Sequence, residues 1–217
     1  MAMIVHKVPQ YLQDDGSEDC GPIATLMILD FFGVTSDKNE VLQKVQRSEF
    51  GTSTFANALV FEEYGLDTTL VTIQPKMFYG EFINSKPTRQ QIIERVKAQN
   101  KEEKIKDKKE NLGILLDYLK GEGGFGLAIP TKQLIVDALK SGKLVWASSY
   151  TRILGLHEGA HHTIVIAGYR DDEFLVYNPW PRSRKRSWEN ADRVVFAIQS
   201  VTDFDYDNGA VILVGKK

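Results

Sequence analysis

The chain has 217 residues, 42% of them hydrophobic, which is enough for one domain with a substantial core. A net charge of −2 gives no global field that would select nucleic acid or an acidic membrane, so nucleic acid is not an expected partner. The single cysteine, Cys20, excludes an internal disulfide framework and a multi-cysteine zinc site. The first ten residues lack the apolar region of a signal peptide, and no apolar run approaches the roughly 20 residues of a membrane span. The expectation is a soluble, cytoplasmic protein, a compartment whose reducing chemistry suits a free thiol.

In chain order, residues 3–8 alternate weakly and predict a short edge strand ended by Pro9. A polar, acidic loop follows over residues 11–19, with Asp14, Asp15, Glu18 and Asp19. A helix should begin at Cys20, because Pro22 suits the first turn and Ile23, Leu26 and Met27 recur at helical spacing up to Gly33. Ser36 or Asp37 can cap a second helix that buries Val41, Leu42 and Val45 and runs to about Arg47. Residues 51–53 (G-T-S) predict a turn, residues from Phe55 to before Gly65 a third helix, and the β-branched stretch 66–73 a strand.

Residues 76–130 differ in character. They carry helical segments with interleaved charges (E-R-V-K-A-Q-N-K-E-E-K-I-K-D-K-K-E), which predict a solvated face or a mobile helical hairpin inserted into the domain. The glycines of 121–126 suggest a flexible link; without a lysine and hydroxyl residue they do not make a phosphate loop. Thr131 can cap a helix over 132–140 ended by Gly142, and strands are expected at 144–149, 162–168, 173–177, 193–200 and 209–214. A helical N-terminal half followed by an antiparallel C-terminal half indicates an α+β fold.

Cys20 stands where loop turns into helix. There the positive end of the helix dipole favours the thiolate, although a small buried core residue reads equally well from position alone. A nucleophilic thiol needs a base, and the base needs an orienting group. His162 opens one strand and Asn178 ends the next, sixteen residues later, so a tight hairpin places both at the same end of a sheet. His161 points to the opposite face of that strand.

D-C-G-P-x-A-x-x-M-I-L-x-x-F-G at residues 19–33 resembles the nucleophile motif of the bacteriocin-leader peptidases, papain-like cysteine peptidases that cut after a double glycine. G-T-S at 51–53 with E-Y-G-L at 63–66 is similar to that family's next block. H-x-x-x-x-x-G at 162–168, with N-P ten residues further on, is similar to its histidine block. The resemblance covers roughly residues 5–75 and 131–215. It implies one papain-like domain over residues 1–217, with an N-terminal helical half packed on a C-terminal antiparallel sheet and the charged insertion at about 76–130. It also implies Cys20 as nucleophile, His162 as general base and acid, and Asn178 as the orienting residue, where the leader peptidases have aspartate. A glutamine about six residues before the cysteine helps form the family's oxyanion hole; here Gln13 lies seven before it. The implied partner is a peptide or protein substrate, and no cofactor is implied.

Two other readings follow from the same residues. The triad can run amidase, deamidase or acyl-transfer chemistry, or the fold can serve as a binding domain through the basic loop W-P-R-S-R-K-R-S-W at 180–188 or the insertion. H-E-G-A-H-H at 157–162 lacks the helical i, i+4 spacing of a zinc peptidase, so no metal is expected.

Overall fold

The computed structural model describes residues 3–45, 47–48, 51–156, 161–201 and 209–217. The first strand, β1 (Ile4–Val5), is short, and the long loop after it leads into α1 (Cys20–Phe31). Helix α1 buries Ile23, Met27 and Ile28. Helix α2 (Lys38–Lys44) starts where the Asp37 carboxylate accepts from the N–H groups of Asn39 and Glu40. The expected turn at 51–53 contains a strand, because β2 (Arg47–Ser48) pairs antiparallel with β3 (Gly51–Thr52). Helix α3 (Thr54–Glu63), capped by Ser53, leads through Gly65, which has φ 78°, into β4 (Leu66–Thr72).

The charged segment folds as a short helix α4 (Glu81–Asn84), then α5 (Arg89–Glu102) and α6 (Lys106–Lys120). It is not a mobile appendage. Ile92 and Val96 of α5 and Leu112, Leu115, Tyr118 and Leu119 of α6 are buried in the same core as α1 and α3. The charges lie on the outer faces, so the strong polar signal of the sequence hides a regular apolar seam. Residues 121–126, expected as a link, enter β5 (Gly124–Leu127), which runs parallel to β4. Glycine suits residue 123, just before this strand, because a Cβ there would stand 2.5 Å from the Tyr118 hydroxyl, which donates to Gly124 O at 2.8 Å.

Helix α7 (Lys132–Lys140), capped by Thr131, precedes β6 (Leu144–Ser149). After a 3₁₀ turn, Thr151–Leu154, come β7 (His162–Arg170) and β8 (Glu173–Tyr177). The link between these two strands, Asp171 and Asp172, has φ of 41° and 67°, the backbone hand that tight hairpins need. The basic loop then gives β9 (Arg186–Asn190). The stretch expected as a strand at 193–200 is instead α8 (Ala191–Gln199), capped by Asn190. Its β-branched composition suggests a strand, but Ala191, Val194, Ala197 and Ile198 are buried at helical spacing, and this pattern decides. Strand β10 (Val211–Lys216) follows.

Among the described residues the main sheet has the order β5-β4-β10-β6-β7-β8-β9, with β1 paired to β7 beyond the end of β6. Both faces are covered. Leu144, Trp146, Val165, Ala167, Ile212 and Val214 face the core with α1, α3, α5 and α6. Their alternating neighbours Val145, Ala147, Ile164, Ile166 and Val211 face α7 and α8. The architecture is α+β, with the helical N-terminal half on one face of a largely antiparallel sheet.

Candidate active site

The N-terminus of α1 meets the sheet at the start of β7. Asp19 holds the N-cap position without a side-chain cap bond, so Cys20 is the first helical residue. The turn is held by other groups. Trp146 Nε1 of β6 donates to Gly21 O at 3.3 Å in the core. From the other side, a Cβ on Gly21 would stand 2.0 Å from Thr52 Oγ1, so only glycine allows β3 to approach this closely. Thr52 is itself tied to α3, because Asn57 Nδ2 donates to Thr52 Oγ1 at 3.3 Å and to Ser53 O at 2.8 Å. The Oδ1 of the same fully buried amide accepts from Thr25 Oγ1 of α1 at 2.8 Å. A buried polar network thus joins α1, β3 and α3 one residue from the thiol.

The partly buried thiol of Cys20 lies against the backbone and hydroxyl of Thr163, the residue after His162. Burial raises the thiol pKa and outweighs these contacts. The expected dipole-lowered thiol is therefore not what the free protein holds.

His162 is buried, and its Nε2 is 2.8 Å from Asn178 Oδ1. The pairing Val165 to Tyr177 places Asn178 diagonally across the hairpin from His162, as the sixteen-residue spacing predicts. Asn178 is as firmly held as a side chain can be. Its Nδ2 donates to Leu156 O at 3.1 Å and Arg184 O at 3.2 Å, and its Oδ1 also accepts from Trp180 N at 2.9 Å. An amide can serve all of these at once, whereas a carboxylate could not donate to the two carbonyls. The ring of Trp180 stands edge to face on His162, with centroids 6.1 Å apart. Burial pushes the His162 pKa down to about 4, against the smaller raising effects of the Asn178 bond and the charge of Glu18.

Gln13 is buried on the same side. Its N–H donates to Pro179 O at 3.0 Å, and its Nε2 donates to Ser17 O. Its Oε1 is buried without a hydrogen-bond partner. Gln10, not singled out by the oxyanion spacing, also serves the site, since its Nε2 donates to Asn178 O at 3.1 Å. Cys20, His162, Asn178 and Gln13 thus converge on residues 162–163 and 178–179. His161 does not join them. It is exposed and rests against the ring of Tyr150 at 6.3 Å. His157 and Glu158 lie outside the described residues; among those described, no group of three His, Cys, Asp or Glu could hold a metal.

The basic loop is engaged internally. Arg182 pairs with Asp15, Arg184 with Glu189 at 3.2 Å, Arg186 lies over the Tyr177 ring, and Arg170 covers Trp188 at 4.1 Å.

A partly buried thiol at a helix tip touches Thr163, and the histidine before it is oriented by an asparagine on a neighbouring hairpin. The pattern of the Peptidase_C39 like family matches residues 5–200. The chain belongs to that family. No curated protein matches it in sequence. Among solved structures, it resembles a C39-like protein from Bacillus anthracis, with TM-score 0.59 and 10% identity over 100% of this chain and 99% of that one. It also resembles a double-glycine-motif protease from an AMS/PCAT transporter, solved with its leader peptide, with TM-score 0.51 and 12% identity over 98% and 94% of the chains. The peptidase domain of Streptococcus ComA, a bifunctional ABC transporter of a quorum-sensing pathway, matches with TM-score 0.50 and 12% identity over 98% and 99%. These likenesses establish the fold of this C39-like protein. None of its described helices is long and apolar enough to cross a membrane.

Proposed function

We propose that residues 1–217 form one papain-like domain that hydrolyses peptide bonds through Cys20, His162 and Asn178. The observation that carries this reading is the buried His162–Asn178 hydrogen bond of 2.8 Å, held one residue from the contact of the Cys20 thiol with Thr163. A domain that only binds a partner has no use for a base so fully oriented. A peptide substrate is in keeping with the leader peptide bound to one of the structural relatives. The unpaired cysteine suits the reducing cytoplasm, where we place the protein.

With the thiol pKa raised and the imidazole pKa lowered, the free site holds both groups neutral at neutral pH. Neutral His162 is then a competent base. It takes the thiol proton as the sulfur attacks the amide carbon. Nε2–H to Asn178 fixes the tautomer that leaves Nδ1 as acceptor. The Cys20 N–H and the Gln13 amide stabilise the oxyanion. The imidazolium returns its proton to the leaving amine, and the thioester is hydrolysed by water that His162 deprotonates, giving the acid and the free thiol.

The test is labelling of the sole thiol with a peptidyl electrophile, alongside turnover of a fluorogenic peptide library. Wild type should react at Cys20, and His162→Ala should lose on the order of 10²–10⁴ in rate, the range of a missing general base. Equal rates in the two proteins would remove the nucleophile reading. Turnover of simple amides without peptides would turn the same triad to amidase chemistry.

A further inference from the structure

The loop before α1 carries four carboxylates, and the structure treats one of them differently. Asp14 pairs with Lys38 at 3.3 Å, and Asp15 pairs with Arg182. Asp19 is buried at the helix N-cap. Glu18 is exposed and makes no ion pair among the described residues. Its Oε2 stands 3.8 Å from where a Cβ would lie on Gly51. Gly51 opens β3, whose next residue, Thr52, abuts Gly21 beside the nucleophile. The Glu18 carboxylate therefore sits on the wall that β3 makes with the first turn of α1. Its charge acts on both Cys20 and His162.

Among the described side chains, the arginines of the basic loop are engaged elsewhere. Arg182 is bound to Asp15, Arg184 to Glu189 and Leu154 O, and Arg186 lies over Tyr177. Lys185 meets the site through its backbone, its carbonyl accepting from Asn178 N at 2.8 Å.

We propose that Glu18 is the specificity-determining residue of this site and selects substrates that carry a cationic side chain, lysine or arginine, beside the bond that is cut. The proposal rests on the peptidase reading above and adds a substrate class to it. With the site empty, the carboxylate opposes the negative charge that develops first on the sulfur and then on the carbonyl oxygen. A substrate cation seated against Glu18 cancels that opposition as the attack begins. The gain is made in the transition state, so it is expressed in kcat as well as in binding. A neutral neighbour leaves the opposition in place, and an acidic one adds to it.

The first experiment needs no turnover. Cys20 is the only thiol of the chain. Its modification rate is measured with two methanethiosulfonate reagents, one ending in trimethylammonium and one in sulfonate, each referred to its rate with a small free thiol. Wild type should favour the cationic reagent, and Glu18→Gln should lower the cation-to-anion ratio by about fivefold, the effect of one partly screened charge. Glu18→Lys should lower it further. Asp14→Asn should leave it unchanged, because that charge is paired at a distance. An unchanged ratio in Glu18→Gln overturns the proposal.

The second experiment compares otherwise identical peptides with Lys, Gln or Glu next to the scissile bond. The preferred lysine peptide should lose its advantage in Glu18→Gln, with part of the loss in kcat. Cleavage without any lysine preference sinks the proposal and leaves the peptidase intact. A Glu18-dependent reagent ratio with no peptide cleaved removes the peptidase reading instead.

Discussion

Two regions of this protein handle polar groups in opposite ways. The α5–α6 pair turns its charges outward and meets the core through Ile92, Val96, Leu112, Leu115 and Leu119. Its ion pairs, such as Lys97 with Glu94 and Lys120 with Asp117, are exposed and join neighbours on the same helix. The sheet end at β7 and β8 turns polar groups inward. His162, Asn178, Gln13 and Thr163 are all buried there. Burial without a partner costs roughly 1–3 kcal/mol per group, and the bonds made by His162, Asn178 and the Gln13 amide nitrogen dictate where those groups point, while Gln13 Oε1 is left without a partner. The helical pair is stable whatever its surface charges do. At the sheet end those bonds fix the orientation of His162 and Asn178, which is what the proposed chemistry requires.

This contrast can be broken from either side. Leu115→Ala, at a fully buried site of α6, should cost about 4 kcal/mol in denaturant unfolding, the range of a core cavity. A cost below about 1 kcal/mol would mean that the insertion is not part of the core. The next largest effect is at His162. Its folded pKa of about 4 lies below the unfolded value of 6.5, so the unfolded chain binds a proton in that window that the folded chain does not. Stability should be full above pH 6.5 and fall by about 3 kcal/mol as pH drops to 4. His162→Gln should remove that component of the acid sensitivity. Asn178→Asp should move the acid limb of His162 upward, because a carboxylate favours the imidazolium; an NMR titration of the ring reads this directly.

At the first turn of α1, Asn57→Ala strands Thr25 Oγ1 and Ser53 O and should cost about 2 kcal/mol. It should also slow Cys20 labelling, an effect that a purely distant stability loss would not produce in the folded protein. The smallest effect belongs to the outer face of α5. Lys97→Gln removes an exposed pair and should change stability by less than about 0.5 kcal/mol. A larger change would mean that this face does more than remain solvated.

Elements with a local signature were legible in the sequence. Asp37 and Thr131 announce α2 and α7, and the spacing of His162 and Asn178 announces the β7–β8 hairpin. What failed were segments whose state depends on a distant neighbour. The residues of β5 form a strand because β4 offers an edge and the Tyr118 hydroxyl donates to Gly124 O. Strand β9 is polar because it lies at the end of the sheet order. Helix α8 carries strand-forming residues whose burial alone reveals the helical period. The site divides the same way. Cys20, His162, Asn178 and Gln13 could be singled out because the proposed chemistry demands those residue types. Gln10, Trp146, Thr25 and Asn57, which hold them, act through contacts between elements far apart in sequence, and no local pattern marks them.

The position of β10 has a consequence for how the molecule is made. It lies between β4 and β6, pairing with residues 66–71 on one side and 144–147 on the other. During synthesis, both of those strands emerge long before their common partner and wait with open edges. The two sides of the sheet can be joined only when residues 211–216 leave the ribosome, so folding has a late, long-range closing step. Until then each unpaired edge is a template for another chain. A nascent chain stalled short of that strand would be more prone to associate than the finished protein.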